Sequence, residues 1–317
     1  MIAAIEDLYD QVTAWLFHAW VQPAMYELGL MAWADDAFDW VGFFLFGVVQ
    51  VAVVAIVCLP LERWRPVERW ESRRVVWTDI TYTLLARLGL LPLLGFVIFS
   101  GAAVAIEGAI ADSGFVPPTL ETQIPGLREW PLLALALYIV ILDFGEYWRH
   151  RFQHQFRWWW ALHSIHHAQT QMTFWTDDRN HVLDDIIAAA WIGVIAVAIG
   201  VPPAQFPVIL LVLRLAESLS HANVRMDFGR VGERLLVSPR FHRLHHGVLS
   251  VGQSGKNYGV LLPVWDWIFG TADFKRDHYP RTGDPGAPAA YVTGGWLRQQ
   301  GQGLREVWRA LRPPRQG

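Results

Sequence analysis

From Trp40 to Leu61 the chain runs for 22 residues without a charge, enough at about 1.5 Å per helical residue to cross the apolar core of a bilayer. Leu88 to Ile106 is a second uncharged run, and Trp130 to Leu142 a third. The third would rise only about 20 Å as a helix, but no breaker stronger than Gly145 interrupts the residues after it. This helix is therefore expected to leave the membrane and continue past His154. Ile186 to Leu213 is a fourth apolar stretch, broken by Val201-Pro202-Pro203. A proline pair removes backbone donors and stops a helix, which predicts two shorter helices forming a hairpin. Residues 7–36 mix apolar and polar positions around Pro23 and are expected to form an interfacial helix pair. An apolar fraction of 53% and 18 tryptophans agree with a membrane protein, because amphipathic aromatics gather at membrane–water interfaces.

Charge orients the spans. No lysine or arginine precedes Arg63, whereas seven acidic residues lie between Glu6 and Asp39; Arg63, Arg65, Arg69, Arg73 and Arg74 then come in close succession. Four acids against Arg128 alone occupy Glu107 to Glu129, and arginine returns at Arg149, Arg151 and Arg157 and dominates after Arg225. The positive-inside bias puts the N-terminus outside and the later regions in the cytoplasm. The first residues lack the positive start of a cleavable signal peptide. Cys58 is the sole cysteine, so neither a disulfide nor a thiolate metal site is expected, and no basic motif suggests nucleic acid.

Ten of the twelve histidines fall between positions 150 and 246. They read His150-x3-His154, His163-x2-His166-His167, His181, His221, and His242-x2-His245-His246. Helix positions i, i+3 and i+4 are surface neighbours, so each cluster can present its rings together to a metal. Ten donors exceed the six of an octahedral ion, and two metals sharing them would take about five each. In the last cluster Ser238 is a favoured N-cap, Pro239 a favoured first residue and Gly247 a favoured terminator, which predicts a two-turn helix with three histidines on one face. Asp143, Tyr147, His150 and His154 share one helical stripe, making Asp143 or Tyr147 candidates to orient ligand rings. Asp185 and Glu217 lie four residues from His181 and His221, and either carboxylate could join the site. His18 and His278 stand alone and are read as ordinary histidines.

The absence of any Glu-x-x-His excludes the soluble di-iron bundle pattern. Catalytic zinc, with three protein ligands and a water, would leave most of these rings idle. Two redox metals held by neutral imidazoles would suit dioxygen. A membrane zinc hydrolase and a non-catalytic metal-binding membrane protein are the competing readings.

The pattern Asp143-Phe144-x2-Tyr147-Trp148-x-His150-Arg151-x2-His154, Trp160-x2-His163-x2-His166-His167, His221-x-Asn223, Phe241-His242-Arg243-x-His245-His246, Asn257-Tyr258-Gly259 and Trp265-Asp266-x2-Phe269-Gly270-Thr271 resembles the fatty acid hydroxylase/sterol desaturase superfamily of membrane di-iron oxygenases. The resemblance covers roughly residues 130–275. It implies two irons, dioxygen, and oxidation of an unactivated C–H bond in a lipid. Electrons would come from a separate protein, a b-type cytochrome or a ferredoxin with its reductase. His150, His154, His163, His166, His167, His221, His242, His245 and His246 carry over as ligands, and Asn223 and Asn257 as supporting residues. Where the family often has Arg-x-His-Pro, this chain reads Arg179-Asn180-His181-Val182; His181 is retained as a tenth ligand. No nucleotide fingerprint or haem domain is apparent, so flavin, nicotinamide or haem is expected only on a partner.

The expected architecture is all-α, a polytopic membrane helical bundle with a cytoplasmic, histidine-lined di-metal helical cap, in a bacterial inner membrane. Residues 1–39 form the N-terminal interfacial segment, 40–129 the anchoring helices, 130–275 the catalytic domain, and 276–317 a linker and an amphipathic helix. In that helix Leu297, Leu304, Trp308 and Leu311 recur near the helical period and are expected to lie on the membrane. Arg151, Arg240 and Arg243 are expected to dock an acidic donor or lipid headgroups, or to form a solvated cytoplasmic face. Trp158-Trp159-Trp160 is expected to serve as an interfacial belt.

Overall fold

A computed structural model describes residues 2–312 except 92, 95–100, 102–104, 106–107, 110, 117, 203–204, 249–254 and 277. Helix α1 (Ile2–Leu16) widens into a π-turn over Phe17–Val21 and continues as α2 (Gln22–Glu27). The wider turn accommodates Pro23, which has no N–H to give the turn before it. The expected pair is therefore one nearly continuous run. Helix α3 (Ala34–Trp64) exceeds the uncharged stretch at both ends. Helix α4 (Arg73–Arg87) comes next, then short α5 (Leu120–Gln123), α6 (Pro131–Gln155) and α7 (Arg157–His167). The expected break separates α8 (Val182–Ile199) from α9 (Phe206–His221), with Gly200 left-handed after the first (φ 63°), and both helices pack on α6 rather than closely on each other. Short α10 (Gly229–Leu235), α11 (Pro239–His245), α12 (Val264–Ile268) and α13 (Ala289–Thr293) lead to α14 (Trp296–Leu311).

No strand is assigned among the described residues. Among the described residues, three helices are long and apolar enough to span a bilayer: Met31–Trp64, Pro131–Gln155 and Val182–Ile199. The expected span at 88–106 lies largely outside the described residues, as does Pro203.

The spans set up the histidines through close packing. A Cβ on Gly145 would stand 2.4 Å from Ile195 Cδ1, so glycine lets α6 approach α8 closely. Tyr138 and Leu142 of α6 pack on Ile209 and Leu213 of α9. Val54 and Cys58 of α3 pack against Phe174, Ala222 and Val224. This second cluster fixes the end of α9, where His221 sits.

Between the membrane helices and the histidines lies a buried polar layer. Arg87 donates to Asp177 (2.6 Å) and Asp178 (2.7 Å). Arg179 pairs with Asp79, and Gln169 and Thr176 also donate to Asp79. Burying charges requires such partners, and these fix the 168–181 segment beside α4.

The expected outward role of several residues is overturned. Arg240 and Arg243 are fully buried, paired with Glu233 and Glu68. They sit inside the protein because α11 is packed on all sides, and neither is a docking cation. Trp159 is buried too, its indole N–H donating to Asp184 (2.7 Å), while Trp160 lies against the His154 ring (4.9 Å). These two tryptophans are structural, not belt, residues.

Helix α14 has an inverted character. Its polar residues Gln299 and Gln300 are buried, bonded to Tyr291, Gly294, Tyr82 and Asn180, whereas Leu297, Leu304, Trp308 and Leu311 are exposed. The apolar stripe read from the sequence thus faces outward.

Candidate metal centre

Each histidine comes from an element whose start or stop is written locally. Helix α6 emerges from the bundle carrying His150 and His154 one turn apart. Helix α7 brings His163, His166 and His167, and α9 ends on His221. Ser238 caps α11 by accepting from the Phe241 N–H (3.1 Å), with Pro239 in the first turn. His242 and His245 therefore project from consecutive turns, and His246 closes the helix.

Folding gathers nine rings into two adjoining groups. His150, His154, His163, His167 and His245 form one; His166, His221, His242 and His246 form the other, with donor atoms within 4.8 Å of one another in each. The groups touch directly, the rings of His167 and His246 stacking at 4.4 Å. All but His154 are buried.

The hydrogen bonds show that this cluster suits a cation. Nδ1 of His150 donates to the Tyr258 carbonyl (2.9 Å), Nδ1 of His221 to that of Glu217 (2.7 Å), and Nδ1 of His245 to that of Lys256 (2.7 Å). A carbonyl only accepts, so each of these neutral rings keeps its proton on Nδ1 and leaves Nε2 bare. The single bare lone pair of His221 then faces Nε2 of both His166 (3.0 Å) and His242 (2.9 Å). One lone pair cannot satisfy two neighbours. Nε2 of His150, His154 and His163 has no protein partner although buried. Unpaired polar atoms in a dry interior are costly, and a metal shared by each group removes that cost. Imidazole donors suit iron, zinc, copper and nickel.

Burial keeps the rings neutral. It pushes the imidazoles of His163, His166, His167, His242 and His246 well below the ordinary range, reinforced by neighbouring histidines. His245 falls to about 4, burial outweighing its bond to Lys256. Neutral imidazole is the ligating form.

His181 joins neither group. It is the N-cap of α8, its Nδ1 accepting from the Leu183 N–H (3.1 Å) and its Nε2 meeting the Gln300 carbonyl (3.0 Å). Both ring nitrogens are engaged elsewhere, so the structure does not bring the expected tenth donor into either group. Glu217 contributes its backbone carbonyl to His221 while its carboxylate pairs with Arg214 (3.2 Å). Asp185 also stands outside both groups.

The expected supporting residues hold the frame, not the rings. Asp143 accepts from the Leu261 and Leu262 N–H groups and the Trp265 indole. Tyr147 bonds Thr271 (3.0 Å). Asn223 ties the Val67–Glu68 backbone to the end of α9. Asn257, with φ 61°, joins Phe241 to Asp273. Asp143, Tyr147 and Asn257 fold residues 256–273 over the site, so that Lys256 and Tyr258 present their carbonyls to His245 and His150. Two carboxylates escaped sequence reasoning: Asp184 stands 3.5 Å from Nδ1 of His163, and Asp177 3.8 Å from Nδ1 of His221. No spacing flagged them, because each meets its histidine only in the fold.

The fatty acid hydroxylase family model matches residues 135–271, which contain all nine rings. Ornithine lipid hydroxylase of Rhizobium tropici is 31% identical over 262 residues, covering 81% of this chain and 75% of that protein. This chain belongs to the fatty acid hydroxylase/sterol desaturase superfamily. Within it, alkylglycerol monooxygenase of Homo sapiens is 35% identical over 136 residues, 43% of this chain and 30% of the relative. Delta(7)-sterol-C5(6)-desaturase of Nicotiana tabacum is 29% identical over 141 residues, 43% and 48% respectively. The chain thus spans three quarters of the first of these and less than half of the other two. No solved structure matches it. These superfamily members are hydroxylases, monooxygenases and desaturases, and this chain is accordingly an oxidoreductase.

Proposed function

We propose that this chain is an integral-membrane di-iron enzyme that uses dioxygen to hydroxylate or desaturate an unactivated C–H bond of a lipid. The observation that carries the reading is the pair of adjoining five- and four-histidine groups with bare, mutually facing nitrogens. His150, His154, His163, His167 and His245 would hold one iron, and His166, His221, His242 and His246 the other. Bound there, the irons supply the activation of dioxygen that attack on a C–H bond requires.

The protein's own residues do the rest. Carbonyls of Tyr258, Glu217 and Lys256 hold three rings in the ligating tautomer. Asp184 and Asp177 stand behind His163 and His221, where they orient the rings. Burial excludes water from the site, which protects a reactive oxidant from side reactions.

The substrate is a lipid with a polar head and an extended chain. The alignment to an ornithine lipid hydroxylase, which covers 81% of this chain, favours this over a rigid sterol. Electrons arrive from a separate b-type cytochrome or ferredoxin system. The arginine distribution supports a bacterial inner membrane with the N-terminus outside and the histidines and C-terminus in the cytoplasm.

The test combines metal analysis of the purified protein with oxygen uptake and mass spectrometry of a lipid extract under labelled dioxygen. The expected result is two irons per chain and a lipid gaining one labelled oxygen or losing two hydrogens. His166→Ala and His245→Ala should abolish product in an inserted protein. Zinc without oxygen uptake, or turnover retained in both variants, sinks the reading.

A further inference from the structure

Burial of Arg240 and Arg243 leaves a different pair of arginines at the surface near the histidines. A cleft of about 440 Å³ is lined by Trp64, Arg65, Arg225, Met226, Asp227 and Tyr279. That volume lies within the roughly 300–1,000 Å³ of small-molecule sites. Among the described residues, Arg65 and Arg225 have no carboxylate within ion-pair distance, in contrast to Arg240 and Arg243. Each guanidinium instead lies over an aromatic ring of the same cleft, Arg65 over Trp64 (5.7 Å) and Arg225 over Tyr279 (5.4 Å). The backbone fixes the pair: the Arg225 N–H donates to the Arg65 carbonyl (2.7 Å). Two pre-positioned guanidiniums make a good receptor for phosphate or carboxylate, and Asp227 offers the opposite charge alongside them.

Location identifies the kind of anion. Trp64 is the last residue of a helix able to cross a membrane and is 70% exposed, the place where tryptophan marks the headgroup level. The cleft also adjoins the metal centre through the chain. Arg225 lies four residues after His221, and the Met226 carbonyl accepts from the N–H of Arg240, two residues before His242. A concave site of this size suits a small headgroup better than the face of a protein.

We propose that this cleft is the headgroup subsite of the lipid substrate, taking an anionic phosphate or carboxylate between Arg65 and Arg225 and an amine beside Asp227. The proposal rests on the lipid-oxidising reading of the metal centre. A head anchored there would hold the lipid while its chain is presented to the histidine groups.

Binding is measured on the purified, metal-loaded protein in detergent by calorimetry, with dioctanoyl phosphatidylethanolamine, dioctanoylglycerol and inorganic phosphate as probes. Saturable binding of the phospholipid is expected, with dioctanoylglycerol and phosphate each at least tenfold weaker. Arg65→Gln and Arg225→Gln should each weaken phospholipid binding about tenfold, the loss of one charge-assisted hydrogen bond, at unchanged metal content. Because Arg225 also donates to the Val67 carbonyl (3.2 Å), Arg65→Gln decides the matter if Arg225→Gln fails to fold. Equal binding of dioctanoylglycerol, or phospholipid binding indifferent to Arg65, overturns the subsite. Phosphate binding as tightly as the phospholipid makes it a soluble-anion site instead. Slower electron delivery in Arg65→Gln at unchanged lipid affinity makes it a docking face for the donor. Binding is read without turnover, so a protein that binds the lipid here but oxidises none fails the oxygenase reading and keeps the subsite.

Discussion

The Nε2 atoms of His221 and His242 face each other across 2.9 Å, from helices that meet only in the fold. His221 has committed its one proton to the Glu217 carbonyl, so its lone pair is exposed to two neighbouring rings at once. Helix α11, seven residues long, is too short to persist alone. Chelation should therefore lower the melting temperature and speed hydrogen exchange over residues 239–246 more than elsewhere. A metal present at a thousandfold its dissociation constant contributes about 4 kcal/mol. A melting temperature unchanged after verified metal removal would mean that the facing nitrogens need no shared cation.

Acid should have the same effect as chelation. His245 titrates at about 4 in the fold, against roughly 6.5 for a free histidine, and burial lowers its neighbours too. With the folded values depressed, the unfolded chain binds more protons between the two limits, so stability grows with pH there. It is fully present above about pH 6.5 and drains away as the pH falls below that. Metal retention changes in the same direction, since protons compete for the ligand nitrogens. Equilibrium metal content and melting temperature between pH 7.5 and 5 are the measurements. A flat response across that window would show that the rings are not held neutral by burial.

The sequence made the helices legible where apolar runs ended at strong punctuation. Ser238-Pro239 started α11, and Val201-Pro202-Pro203 separated α8 from α9, because capping and proline effects are local. Eight of the nine gathered histidines were legible for the same reason, in three clusters at helical spacing, whereas His221 stands alone in sequence and joins them only in the fold. What was hidden is what folding brings from a distance: the carbonyls of Lys256 and Tyr258, and the carboxylates of Asp177 and Asp184. Arg240 and Arg243 misled because an arginine's sequence neighbours do not reveal whether a glutamate elsewhere will bury it. The identity of the buried face of α14 was hidden likewise, since Gln299 and Gln300 find partners only in Tyr82, Tyr291 and Asn180.

Gly47 sets the crossing of α3 over α4. A Cβ there would lie 1.8 Å from the Arg87 carbonyl oxygen, a backbone atom that cannot rotate away. Gly47→Ala should cost at least the roughly 1–3 kcal/mol of overpacking. It should also reduce activity, because Arg87 holds Asp177 behind His221. Gly193→Ala is the control, with nothing within 4 Å of the added carbon. Thermal unfolding of both variants in the same detergent checks the contrast; similar shifts would mean that the helices slide freely.

His181 and His221 look alike in sequence, single histidines each four residues from a carboxylate, but the fold gives them different work. His221 turns a bare Nε2 toward His166 and His242. His181 spends one nitrogen capping α8 and the other on the Gln300 carbonyl, and its ring is packed so tightly on α14 that a Cβ on Gly303 would lie 2.3 Å from it. His221→Ala should therefore lose metal from the four-histidine group and abolish turnover. His181→Ala should keep both metals and lose stability of the order of 1 kcal/mol, as for other lost caps, with faster exchange at the start of α8 and in α14. Metal content separates the two roles most directly, because a cap and a ligand differ in nothing else so sharply. If His181→Ala sheds a metal while α8 and α14 stay protected from exchange, the tenth-ligand assignment returns and the nine-ring centre is incomplete.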